Sequence, residues 1–501
     1  MKGVWLTVFS AVLMTGAAWA GSTPEWRGYA GDAQHNAQAP VANQAFGRIH
    51  WKAPVDLDPQ RDPGGQGELL IHYGSPMITA SNTVIFPVKT GATGGFRIEA
   101  HNGTTGSLIW KLGTRFVLAP HDWTPSFPAH LTAQNVVVFA GPGGTVRTRQ
   151  SPDSATGAGG RFVFYGEKNY RADPSAYDSN VMIDTPITAD DAGNLYFGFV
   201  VTGSTPINLA SGIARIDARG RGTWISAPNA ANDNSITEIA QNCAPAISPD
   251  QTTVYVAVSN GSSGYLVGLD SKTLKPKYRT TLVDPVSGSV AWIDDDSSAA
   301  PTVGPDGDVY YGVLENPYPN HDDRGWLLHF DATLTTQKTP GSFGWDDTAS
   351  VVPASAVPSY TGTSPYLLMS KYNNYYGIGP YGDGHNRIAI IDPDATQIDQ
   401  YSTATVMKDV LTILGPNQVP GEPQGAVYEW CINSAVVDPS SKSVIANSED
   451  GHVYRWDLTT NILAEVMTLN NPQPEAYTPT IVGPDGTVYA INDANLYAIG
   501  N

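Results

Sequence analysis

Cysteine, charge and long apolar runs are all scarce in this chain. Its 501 residues include two cysteines, Cys243 and Cys431, and only 15% of its side chains are charged. No Cys-x-x-Cys-His haem signature can be written from two isolated cysteines. Lys and Arg total 28 against 47 Asp and Glu, a formal net charge of −19. That balance excludes nucleic acid as a partner, because phosphate recognition needs clustered Lys and Arg. It argues against anionic membrane surfaces for the same reason. The acidity is dispersed along the chain rather than gathered in a tail, which suits solubility. Past the N-terminus no stretch stays apolar for the ~20 residues that a membrane-spanning helix requires. A nucleophile elbow, a His-Glu-x-x-His pair, a phosphate loop and an EF-hand loop are all missing. So are long amphipathic helical patterns.

Glycine and proline are abundant, at 51 and 38 residues, and Tyr and Trp number 24 and 12. Short strands punctuated by Gly/Pro turns read as all-β. One phrase recurs: APAISPDQTTVYVAV at Ala244–Val258, APTVGPDGDVYYGV at Ala300–Val313 and TPTIVGPDGTVYAI at Thr478–Ile491, with a looser copy, TPITADDAGNLYFGF, at Thr185–Phe199. Each is two strands joined by a tight Pro-Asp or Asp-Gly turn. Further copies start at Ser75-Pro76, near Phe127-Pro128, at Pro353 (a degenerate one) and at Asn433-Ser434, making eight. Several continue into a third strand ending in Asp, as in GYLVGLD at Gly264–Asp270 and HVYRWD at His452–Asp457, and then into a fourth. Eight repeats of four antiparallel strands describe an all-β, eight-bladed β-propeller. The last copy lacks a fourth strand, while an unassigned strand, Gly47–Lys52, precedes the first. Arg48–Ala53 is therefore expected beside Asn495–Ile499, closing the ring and removing an exposed edge.

The N-terminus reads as a secretory signal over residues 1–20. Lys2 is followed by an apolar Val4–Met14 and a small-x-small site at Ala18-Trp19-Ala20, leaving residues 21–501 as one propeller domain. This predicts a secreted or periplasmic protein. In that compartment Cys243 and Cys431 could pair. Both precede the first strand of a repeat, the fourth and the seventh, and so point toward the ring axis. A disulfide between them is expected if Tyr401–Trp430 dips inward; two buried thiols are the alternative.

The blade phrase, with Asp-Gly, Val-Tyr, Leu-x-x-x-Asp and a closing Trp, resembles the quinoprotein (PQQ-like) propeller repeat. The opening Glu25-Trp26-Arg27-Gly28-Tyr29-Ala30-Gly31-Asp32 looks like the segment leading into such propellers. The resemblance covers nearly all of residues 21–501 and implies the fold. It leaves activity open, since such propellers include quinone-dependent dehydrogenases and non-catalytic assembly scaffolds. No cofactor is identified from the residues themselves; pyrroloquinoline quinone (PQQ) and calcium are what the resemblance admits. The adjacent cysteines of the quinoprotein alcohol dehydrogenases are absent here, so no catalytic residue is carried over.

In propellers the loops entering first strands and those between second and third strands share one face around the channel. On that face the sequence places Lys371, Tyr372 and Asn373, where copy six leaves its second strand. Asp346 precedes copy six, Trp430 copy seven, and Glu475 and Tyr477 copy eight. His385 ends the Tyr- and Asn-rich loop Tyr372–Asn386. Rings stack on planar or sugar surfaces while carboxylates accept hydroxyl hydrogen bonds, so these eight residues form the expected ligand site. Asp294-Asp295-Asp296 offers either a calcium site or a solvated acidic turn. His321, Asp322 and His385 offer either a metal site or part of a recognition loop. The expected function is binding of a small molecule, carbohydrate or protein on the channel face. The alternatives are a PQQ/calcium oxidoreductase or a carbohydrate lyase or hydrolase.

Overall fold

The computed structural model describes residues 25–61, 69–70, 73–92, 94–121, 126–127, 129–293, 299–472 and 479–501. They fold as an eight-bladed β-propeller. The second strands, which carry the Val-Tyr-aliphatic motif in blades four, five and eight, are covered on both faces by neighbouring blades. Thr83–Lys89, Thr253–Ser259 and Tyr366–Tyr372 are accordingly buried at every position, as expected for strands with two covered faces. Outer strands alternate instead: Ile462–Thr468 and Pro276–Thr281 present every second side chain to solvent. The Asp that ends the third strand builds the outer turn. Asp270 Oδ1 accepts from the N–H groups of Lys272 and Thr273, and Asp457 Oδ1 from those of Thr459 and Thr460. Such Asx turns explain why an Asp recurs at the end of the third strand.

Five blades have four strands each. In blades three and four the inner strand is split in two, as in Glu238–Ile239 and Ala246–Ile247 of blade four. Blade five keeps three strands, Thr302–Val303, Val309–Val313 and Trp326–Phe330. Two isolated bridges, Leu327 to Gly341 and Phe330 to Gln337, occupy the place of a fourth. Blade eight consists of Thr480–Val482, Val488–Asn492, Asn495–Gly500 and the N-terminal strand Arg48–Pro54. Arg48 faces Gly500, Ile49 faces Ile499 and Pro54 faces Asn495, so the seam closes with the expected strand pairing, with a bulge between Ile49 and Trp51.

The segment ahead of that strand was not expected to do more than lead in. It instead crosses the inner strands of the blades in turn. Trp26 bridges Ile78 of blade one, and Leu131 of blade two donates to Arg27 O. Arg27 Nη1 reaches Asp191 of blade three at 3.3 Å. Ile247, Val303 and Val351 of blades four to six donate to Ala33, Gln34 and Asn36. Val437 of blade seven pairs with Ala37 and Ala39, and Gln44 donates to Gly486 of blade eight. Residues 26–44 thus touch every blade. Among the described residues no helix is long and apolar enough to cross a membrane.

Candidate functional site

A cavity of about 430 Å³ opens where the loops of blades five, six and seven converge. Its size falls within the range of small-molecule sites. Lys371 and Asn373 line it from the exit of blade six's second strand, and Trp345 and Asp346 from the loop into blade six. Asp323 comes from blade five, Glu449 from blade seven, and Glu429, Trp430 and Tyr428 from the segment entering blade seven. These are the two loop types expected to share a face, and they do.

Side-chain alternation divides the expected triad. Lys371 and Asn373 face the cavity, whereas Tyr372 points the other way. Its ring packs in the core beside Arg324, 4.9 Å from the guanidinium, and its hydroxyl donates to Asp409 at 3.0 Å. Tyr372 is therefore a core residue. Asn373 is a fastener between blades: its Nδ2 donates to Trp430 O at 3.3 Å, and the Trp430 N–H donates to Asn373 Oδ1 at 3.2 Å. Trp430, fully buried, also donates from its indole to Asn386 O and meets Tyr454 edge-on at 5.6 Å. His385 stands beside the cavity without lining it, its Nδ1 2.7 Å from Asp383 Oδ2. Glu475 and Tyr477 lie outside the described residues, as do Asp294, Asp295 and Asp296.

The loops of blades five and six meet as expected, with Tyr381 N–H donating to Asp322 Oδ1 at 2.9 Å. They do not form a metal site there. His321 stacks on Trp326 at 3.8 Å, bonds Asp399 through Nε2 at 3.0 Å and bonds Gly325 O through Nδ1. Among the described residues no three His, Cys, Asp or Glu side chains gather closely enough to share an ion. Glu315 is spent on the backbone of the same loop, accepting from the N–H groups of His321, Asp323 and Gly325.

No disulfide joins Cys243 and Cys431. The segment that was to carry Cys431 inward is committed elsewhere: Thr405–Leu414 is the fourth strand of blade six. Cys243 is buried, accepts the Ala257 N–H at 3.3 Å, and burial pushes its thiol up to about 12.

The cavity is electrostatically crowded. Burial, reinforced by Glu315, Asp346 and Glu429, raises Asp323 to about 8, with Lys371 opposing. Burial raises Asp347, just behind the wall, to about 7 against the pull of Lys371 and a 2.6 Å hydrogen bond from Ser370. Burial and the nearby Glu429 and Asp323 hold the Tyr375 phenol well above its usual range. The sequence reading missed Glu422, Val419, Ala426 and Val427 as lining residues. They belong to an irregular stretch that carries no repeat signal.

No family model and no curated sequence matches this chain. Among solved structures, a europium-containing methanol dehydrogenase superposes with a TM-score of 0.55 at 9% identity, over 94% of this chain and 89% of that one. A quinohemoprotein alcohol dehydrogenase from Comamonas testosteroni superposes at 0.53 with 10% identity, over 96% of this chain and 82% of that one. The likeness lies in the fold: this chain shares the eight-bladed propeller of the quinoprotein dehydrogenases.

Proposed function

We propose that this chain is a binding protein that takes a small organic cation, an ammonium-bearing metabolite or amino sugar, into the cavity between blades six and seven. One observation carries the reading. Five carboxyl side chains (Asp323, Asp346, Glu422, Glu429 and Glu449) and the rings of Trp345, Tyr375, Tyr376 and Tyr428 surround one cavity with a single lining cation, Lys371, among the described residues. Aromatic faces attract cations through the ring quadrupole, and carboxylates complete the charge match. Like charges packed this closely lift one another's pKa, and an incoming cation relieves that cost.

The test is calorimetric titration with putrescine, glucosamine and choline, using glucose as the neutral control. Binding of at least one cation, weakened tenfold or more in Glu429→Gln and Asp346→Asn, is expected. Affinity for choline, whose charge does not titrate, should rise from pH 6 to 9, because the cation binds the deprotonated form of Asp323, which titrates near 8. Equal, negligible heats for all three cations and for glucose would overturn the reading.

The fold neighbours motivate a second reading, a PQQ- and calcium-dependent dehydrogenase. The residues do not fit it. A quinone bearing three carboxylates would meet a predominantly acidic lining, and among the described residues no three His, Cys, Asp or Glu side chains gather closely enough to share its cation.

A further inference from the structure

A second concavity, of about 710 Å³, lies on the outer edge of blades two and three. It shares no lining residue with the cavity described above. Four arginines line it, in a chain with 28 basic residues against 47 acidic ones. Arg147 comes from the third strand of blade two, Thr145–Arg149, and Arg161 from its fourth, Gly159–Val163. Arg171 comes from the short helix Glu167–Ala172, and Arg221 from the turn before blade three's outer strand.

Arg147 and Arg161 are direct cross-strand partners. Two like charges directly opposite destabilise a sheet, so this pairing asks for a counterion. The protein supplies only part of one. Glu167 bonds both Arg161 and Arg171, and Asp217 bonds Arg221 Nε at 2.7 Å. Arg147 has no ion-pair partner among the described residues. Four guanidinium groups against two carboxylates leave a surplus of two positive charges. Arg171 and Arg221 use their Nε atoms for these pairs, and their side chains are 75% and 74% exposed. Gly159, Gly160, Phe162, Val163, Gly166, Glu167, Gly220 and Gly222 complete the wall.

The geometry points to an anion site that takes a tetrahedral oxyanion ester, a phosphate or sulfate monoester, between Arg147, Arg161, Arg171 and Arg221. A phosphate monoester dianion matches the surplus of two charges, a sulfate monoester monoanion half of it, and planar guanidinium forks suit the oxygens of either.

The experiment is calorimetry on the full chain with glucose 6-phosphate and glucose 6-sulfate at fixed ionic strength, chloride being the reference anion. Binding of at least one ester is expected, and the tighter one identifies the source. Arg147→Gln should weaken it tenfold or more, as should the double variant Arg171→Gln/Arg221→Gln, whose exposed positions spare the fold. Arg219→Gln, outside the groove, should leave it unchanged. Heats indistinguishable from chloride, or wild-type affinity in the double variant, would overturn the assignment.

Discussion

Asp323 shows how a single side chain reports on the cavity. Its folded pKa of about 8 stands far above its ordinary value of 3.8. The folded protein therefore holds this proton more tightly than the unfolded chain does. The associated stability is present in full below about pH 4 and is lost as pH rises through 8. Asp323→Asn keeps the side chain neutral at every pH. Its melting temperature should exceed the wild type's by a margin that widens from pH 5 to pH 9 and vanishes near pH 4. Melting curves at five pH values decide this; a constant or inverted margin would place Asp323 in a solvated, uncrowded environment. At this scale the sequence was least legible. A strand buried on both faces loses its period of two, so nothing in Lys371-Tyr372-Asn373 says which neighbours face the cavity.

Strands and turns were far more legible, because their signals are local. The Asp-Gly turns, the Val-Tyr second strands and the terminal Asp of the third strands each fix a hairpin without reference to the rest of the chain. Blade five was misjudged for the same reason: its third strand ends in the usual turn, but residues 337–341 make bridges rather than a ladder. The seam element is held by one ring in particular. Trp51 donates from its indole to Gly103 O at 2.7 Å and packs against Tyr489 at 5.8 Å, tying blade eight to blade one. Gly106, at a φ of +69°, lies so close that an added Cβ would sit 2.5 Å from that indole. Gly106→Ala and Trp51→Ala should each destabilise the protein by about 2–3 kcal/mol, from overpacking and lost aromatic burial respectively. The effect should appear as accelerated amide exchange along Asn495–Gly500. Unchanged exchange there would mean that the ring is dispensable to the seam.

For the molecule as a whole, the repeat count and the closing strand followed from the sequence, whereas contacts across the ring did not. The Cys243–Cys431 expectation depended on where Tyr401–Trp430 would run, and the repeat pattern did not reveal Thr405–Leu414 within it as blade six's fourth strand. Deleting residues 1–54 should leave Asn495–Gly500 as an unpaired edge. The truncated protein is expected to associate in a concentration-dependent way in analytical ultracentrifugation, where the full chain does not; a well-behaved monomer would show that the seam is not what satisfies that edge. The same segment also sets a schedule for folding. Residues 37–54 leave the ribosome early, yet Val437, Gly486 and Gly500 are their partners. Bringing together ends some 450 residues apart costs about 5 kcal/mol of chain entropy, recovered only when the final blade arrives. Individual blades can form as they are synthesised, but the N-terminal tract must wait with its backbone groups exposed. Closure is then a single late event that either completes the protein or leaves it open to capture by another copy's edge. The chain's most vulnerable moment is the interval before its last strand is made.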